Sequence, residues 1–584
     1  MSDQARTLRP IWRNLYGSSQ LRLAVLAVAT GLVAAYVALG FRLLIGAVQY
    51  LTYGYFGEDW LAHLGTLPYW MILGMPVAGG LVVGGLLWLL RADGRAHTVP
   101  DAIEAAAFHG GAMRLRDGLS SALISAVSLG AGSSTGREGP IVHLGASLAG
   151  ALSRRIGLDA VGTRTLLGSA VAAAVAASFN APIAGTLFAL EVVLGHYSWR
   201  AFAPITLASV TGTVVVRTHW GPEPAFILPD YGVMVLTEYG FFIGLGVISG
   251  LVAALFVRTA MRAQDLADRS PVPVPLRPAL AGLLIGAMAL GTPQILGVGY
   301  ETTDLALKEA LPLGLVCLLI LAKIAATAIS IAGRFGGGVF SPALFIGAMV
   351  GSAYGLALGE AVPSLTGTHG LYALVGMGAV AGAVLGAPIS TILIVFELTA
   401  DYRAATALMV ATVIASVVSQ ALGSKSFFDA QLSRKGIDME SAFALRLTQG
   451  LAITDIIAET RQTAPATLRG EDARSHLRKL SHGTVFIVDD ENKPVGLLPE
   501  AEVRRILFAT ESPPPLGELA SDAAALPRDC PLERAIALME AGDHRSLPVV
   551  DGEGVLIGAV HAQRALKTYS DALVAAEREA AGDR

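Results

Sequence analysis

In "AGSSTGREGPIV" (131–142), Arg137 and Glu138 are set between Gly136, Gly139 and Pro140, and the chain that follows is mostly small or apolar. A carboxylate there invites a chemical reading. "GREGPIVHLG" (136–145) has a counterpart in "GVFSPALFIG" (338–347), which repeats its Gly, Pro and Gly at the same spacing. Glycine lets a backbone approach a ligand, and proline suits the first turn of a helix, where a missing N–H costs nothing. Both segments therefore read as starts of interrupted helices. Two helix N-termini that meet inside a membrane make an anion site: free N–H groups and the positive dipole end stabilise negative charge without a full cation, which would hold a small anion too firmly for rapid passage. The candidate anion-binding residues are Gly136, Arg137, Gly139, Gly338, Val339 and Phe340. The alternative is a pair of ordinary Gly/Pro kinks, a reading that the repetition weakens.

The elements that must position these residues are membrane helices. Of 584 residues, 53% are hydrophobic and only 15% charged, and the mean hydropathy is +0.58. Apolar runs at Leu23–Phe41, Tyr239–Val257, Pro278–Tyr300, Phe335–Gly359 and Ala404–Ser424 each have about the 20 residues that a spanning helix needs. The 66 glycines favour close helix packing. A second matching pair, "NAPIAGTLFALE" (180–191) and "GAPISTILIVFE" (386–397), lies in the same order as the first. Together they predict a duplicated membrane unit, roughly 21–220 and 235–432, with the site at the junction of the repeats. Arg6, Arg9, Arg13 and Arg22 outweigh Asp3 ahead of the first run, which predicts a cytoplasmic start, and no signal-peptide cleavage pattern follows. From Lys425 onward charges recur every few residues, predicting a soluble domain. Within it "FIVDDENKPVGLL" (486–498) and "PVVDGEGVLIGAV" (548–560) repeat a strand–turn–strand pattern, with an amphipathic stretch such as "LERAIALMEAG" ahead of the second. Cys317 and Cys530 are too few and too differently placed for a disulfide framework, and no basic cluster points to nucleic acid.

With "GREGP" and "GVFSP" in view, the chain resembles the CLC family of chloride channels and chloride/proton exchangers, followed by a cytoplasmic pair of CBS modules. The resemblance implies an all-α polytopic membrane domain, an inverted repeat of tilted and broken helices (21–432), and an α/β CBS pair (433–584, modules roughly 450–508 and 514–570) behind an N-terminal tail, 1–20. It also implies a homodimer in the lipid bilayer with one anion pathway per subunit, chloride as substrate, no required cofactor, cytoplasmic termini, and "GREGP" toward the extracellular side. It assigns Glu138 as the gating glutamate, a tethered anion that blocks the site until protonation or a competing anion releases it. An intramembrane acid is costly enough that function is the better reading than a structural pair with an arginine.

Three departures from the family pattern carry expectations of their own. Where the family has a serine that coordinates the inner anion, "AHTVP" (96–100) places His97. His97 is either packing at the cytoplasmic mouth or, with an unperturbed pKa of about 6.5, an anion-attracting cation. The tyrosine that completes the inner site is matched by Phe428. The second glutamate that relays protons in exchangers is matched by Val192, after Glu191. Lys323 reads as a source of positive potential or a carboxylate's partner, Arg334 as potential along the anion route, and Glu397 as structural. In the CBS pair Glu502 is placed to hold a ribose, but Arg564 fills that place in the second module, and Pro499 and His561 replace the usual phosphate-side hydroxyls. That argues against an adenine nucleotide and for a structural or dimerising role. The expected function is passive chloride conduction gated by Glu138, with chloride/proton exchange as alternative and fluoride-selective transport as a more distant variant. A divalent-metal transporter would need carboxylates along its pore, and an intramembrane hydrolase a Ser/His pair or ligand cluster; neither pattern is present, so no metal site and no enzyme are expected.

Overall fold

A computed structural model describes residues 19–57, 60–222, 226, 238–361, 369–399, 404–437, 451–480, 483–522 and 524–581. All but the last two residues of the expected tail lie outside the described residues. The chain divides into two compact units, 1–438 and 439–584.

The first unit is helical and its elements fall into two series of the same order. The first comprises α1 (Ser19–Tyr53), α2 (Tyr69–Leu90), α3 (Val99–Phe108), α4 (Leu115–Gly130), α5 (Glu138–Ile156), α6 (Ala160–Phe179), α7 (Pro182–Phe188) and α8 (Trp199–Trp220). The second comprises α9 (Tyr239–Arg269), α10 (Arg277–Ala289), α11 (Tyr300–Leu307), α12 (Leu313–Ala332), α13 (Phe340–Ala361), α14 (His369–Leu385), α15 (Pro388–Thr399) and α16 (Ala405–Ala421). A last helix, α17 (Phe427–Arg434), follows. Among the described residues, seven helices are long and apolar enough to span a bilayer. The expected spans Ala404–Ser424 and Pro278–Tyr300 are not among them: α16 has only 17 residues, while α10 ends at Ala289, and the "GTP" at 291–293 interrupts that run, with Pro293 opening a short 3-10 turn instead of extending the helix. The Phe335–Gly359 run becomes helical only at Phe340, because Gly336–Gly338 serve the junction described below.

Contacts between the series are reciprocal. Gly136 N–H donates to Gly338 O and Gly338 N–H to Gly136 O, each at 2.7 Å. Ser128 Oγ accepts from Gly336 N at 2.9 Å, and Ser330 Oγ accepts from Ser134 N at 3.1 Å. Glu191, in the π-helical turn that continues α7, accepts from Ile389 N (3.2 Å), Ser390 N (2.7 Å) and Ser390 Oγ; Glu397 on α15 accepts from Ile183 N (3.1 Å) and Ala184 N (2.8 Å). Each repeat thus caps the N-terminus of the other's helix. When residue i meets j and j's counterpart meets i's, a two-fold relation generates the contacts. Small residues keep the helices close: a Cβ on Gly351 of α13 would lie 1.9 Å from Tyr372 O on α14.

The second unit holds two three-stranded sheets of the same design. β1 (Thr463–Pro465) pairs parallel with β2 (Val485–Val488), which pairs antiparallel with β3 (Pro494–Leu498). β4 (Leu526–Pro527), β5 (Ser546–Val550) and β6 (Leu556–His561) repeat that topology. The segment before each module bridges the last strand of the other, Ala458 to Ala559 and Ser521 to Leu497. Cys317 is exposed, Cys530 is buried, and both are free.

Candidate anion pathway

The two glycine–proline motifs meet through backbone. The Gly136–Gly338 bridge sits immediately ahead of α5 and α13, so both N-termini converge on it, and the first-turn N–H groups of each helix have no intrahelical acceptor. Only glycine fits this crossing. Gly337 has φ +147°, and a Cβ there would lie 2.2 Å from Thr135 Oγ1; one on Gly338 would lie 3.1 Å from Gly139 N.

A cavity of about 80 Å³ opens beside the junction, lined by Glu138, Gly139, Gly338, Val339 and Phe340 together with Thr98, Phe179, Phe188, Phe427 and Phe428. Its wall combines these aromatic rings with the polar side chains of Thr98, Glu138, Gln264 and Gln431. Arg95 and Arg334 reach its edge as paired ions: Arg95 bonds Asp101 at 2.6 Å, and Arg334 bonds Asp268 at 2.7 Å. A second cavity, about 190 Å³, is lined by Arg42, Gln49, Trp60, Arg137, Trp220 and Tyr300. Glu138, 2% exposed, lines the first cavity and accepts a hydrogen bond from Tyr300 in the wall of the second. Its Oε1 accepts from Ser341 Oγ at 2.6 Å and from Tyr300 OH at 3.0 Å, while Oε2 is buried with no hydrogen-bond partner among the described residues. Arg137 Nε lies 4.0 Å from Oε1, and its guanidinium sits 5.1 Å from the Tyr300 ring centroid.

Residues 79–420 match the family described as "Voltage gated chloride channel", and 516–571 match the CBS domain. The chain is 33% identical over 383 residues to a chloride channel protein of the ClcB-like type from Ralstonia nicotianae, covering 64% of this chain and 88% of that protein. The chain belongs to the CLC family of voltage-gated chloride channels. Its fold is that of a slow cyanobacterial Cl⁻/H⁺ antiporter (TM-score 0.63, 24% identity, 71% of this chain and 98% of that one) and of a eukaryotic CLC transporter (TM-score 0.61, 18% identity, 93% and 98%).

Against the CLC pattern the structure places the substituted residues individually. His97 does not line the cavity. Its ring contacts Asp93 Oδ2 at 2.6 Å and Arg91 Nη2 at 2.5 Å, and meets His143 edge-on at 5.3 Å. Thr98 lines the cavity instead, since side chains alternate along the extended stretch that leads into α3. The hydroxyl residue at this mouth is therefore one place beyond the position that the proline of "AHTVP" suggested. Burial works against the charge of Asp93 and Asp101. Hydrogen bonds from His97 and Arg91 overcome it for Asp93, and the Arg95, His97 and Lys435 charges for Asp101, so both carboxyls are held well below the usual range. Phe428 stands in the cavity wall, next to Phe427. Val192 lies in the π-turn, beside the cap formed by Glu191. Lys323 meets no carboxylate among the described residues; Ile295 O and Gly297 O accept from it. Glu502 is bonded to Arg505 at 2.5 Å, and His561 to Ser546 at 2.7 Å. Tyr300, Ser341 and Thr98 are the site residues that the sequence reading missed. Ser341 was visible inside the second motif, whereas Tyr300, in "GVGYE", carried no signal beyond its glycines.

Proposed function

We propose that the chain carries chloride across a lipid bilayer by passive, channel-like conduction, with Glu138 as the gate. One observation carries the reading: a buried carboxylate lines the cavity beside the point where two helix N-termini converge. The first-turn N–H groups of α5 and α13 offer partial positive charge to a mobile anion, and the ionised Glu138 competes for that place as a tethered one. Protonation or a competing anion releases it. The name of the Ralstonia relative supports chloride as the ion. Val192 supports uncoupled conduction, because no acid follows Glu191, and Glu191 itself is committed as a helix cap. The reading includes a homodimer with one pathway per subunit, both termini cytoplasmic, and a CBS pair with a structural role, Glu502 being held by Arg505.

The test is chloride efflux from liposomes reconstituted with the full chain, recorded together with proton movement. Chloride efflux without stoichiometric proton uptake is expected, and faster efflux from Glu138→Gln. Uphill proton transport driven by a chloride gradient would replace conduction with exchange, and absence of chloride flux would overturn the reading.

A further inference from the structure

The segment between α10 and α11 is held by an amine buried among apolar helices. Lys323 on α12 is 0% exposed; its Nζ donates to Ile295 O at 3.0 Å and Gly297 O at 2.9 Å and lies 4.9 Å from the Phe345 ring centroid on α13. A buried ammonium is costly, and here its partners among the described residues are two carbonyls of one loop rather than a carboxylate. The loop is also tied at Gly297, whose N–H points to Gly132 O at 3.5 Å, and just beyond it, where Glu301 accepts from Leu61 N at 2.7 Å. What the pinned loop delivers is Tyr300, the first residue of α11, whose hydroxyl donates to Glu138 Oε1.

We infer that Tyr300 and Ser341 form a hydroxyl latch on Glu138, and that Lys323 is the positioning residue that sets this latch by fixing the loop ahead of Tyr300. Both hydroxyls converge on one carboxylate oxygen and lie 3.4 Å from each other, so three polar groups meet where Glu138 of the first cavity touches Tyr300 of the second. Hydrogen bonds to an ionised carboxylate are stronger than neutral ones. A mobile anion must therefore displace Glu138 from two donors at once. Without Ser341 Oγ or Tyr300 OH the same backbone junction would hold the glutamate more loosely.

The inference rests on Glu138 acting as gate, and a mutant cycle separates the two claims. In reconstituted liposomes Tyr300→Phe and Ser341→Ala each raise chloride efflux about tenfold, the worth of one charge-assisted hydrogen bond. Combined with Glu138→Gln they conduct no faster than Glu138→Gln alone, because the latch acts only through that carboxylate. Lys323→Met raises efflux in the same direction by a smaller factor and likewise loses its effect beside Glu138→Gln, which a merely structural lysine would not do. If Lys323→Met fails to fold, the Tyr300 and Ser341 cycles still decide the latch. Unchanged efflux from Tyr300→Phe and Ser341→Ala, with Glu138→Gln still activating, would overturn the latch alone. Equal increases with and without Glu138→Gln would also overturn it. A Glu138→Gln variant that conducts like the parent would instead reject the gating reading beneath it.

Discussion

Each repeat carries a glutamate at the end of an apolar helical segment, Glu191 in one and Glu397 in the other, and each carboxylate caps the opposite repeat. The two helix-start motifs are treated differently. Their backbones pair reciprocally through Gly136 and Gly338, but in "GREGP" and "GVFSP" the counterpart of Glu138 is Phe340 and that of Gly139 is Ser341. Groups that hold the scaffold together occur in both halves, because a two-fold contact needs both. The carboxylate at the junction occurs in one half only, and it takes a donor, Ser341, from the half that lacks its own.

That contrast can be broken most severely at the shared backbone. Gly337→Ala puts a Cβ 2.2 Å from Thr135 Oγ1 at a φ that alanine rarely adopts, so thermal unfolding in detergent should show a loss on the order of 3 kcal/mol, with chloride flux lost alongside. Unchanged melting would mean that the junction yields easily, and the argument for a tightly made anion cradle would weaken. A smaller effect sharpens the symmetry itself. Glu191→Gln and Glu397→Gln each exchange a carboxylate cap for a neutral one and should destabilise by about 1 kcal/mol apiece, equally, and without changing anion or proton flux. A proton-coupling phenotype confined to Glu191→Gln would break the comparison, since it would make one of two structural twins functional.

Much of this was legible before the fold. Hydropathy marked three of the seven spans, α1, α9 and α13, the repeated motifs located the junction, and the odd charge of Glu138 singled out the carboxylate proposed as the gate, because each of these is a local pattern in the chain. What the sequence hid was the direction of side chains and the partners they meet across long separations. His97 aligns with a coordinating serine yet turns toward Asp93, leaving Thr98 at the cavity. The apolar run from Pro278 to Tyr300 looked like a span although a Gly-Thr-Pro break divides it. Tyr300 lies far along the chain from Glu138, and the segment around it is held there by ties to Lys323, Gly132 and Leu61 that no local pattern shows.

The loops that precede α3 and α11 occupy corresponding places and are held by opposite means, which gives the mildest prediction. Among the described residues, the loop before α11 is held by hydrogen bonds, those of the buried Lys323 among them, whereas the loop before α3 is laced with ion pairs: Arg91 with Asp117 at 2.8 Å, Arg95 with Asp101 at 2.6 Å, and Lys435 with Asp101 at 2.8 Å and with Glu104 at 2.6 Å. Asp93 and Asp101 have carboxyls held below their ordinary value of about 3.9, so the folded state binds fewer protons there than the unfolded state as pH falls into that region. Their contribution is fully present above about pH 4 to 5 and is lost only as the pH falls further, toward the depressed folded values. Melting temperatures of the purified protein should therefore be insensitive to these two groups between neutral pH and about pH 5. Asp101→Asn should lower the melting temperature throughout that window, and its gap from the parent should narrow below about pH 4, where the unfolded parent takes up a proton at Asp101 that the folded parent does not. A gap that instead closes near pH 6.5 would assign the ion pairs' pH response to a histidine and make His97 the controlling group at this loop.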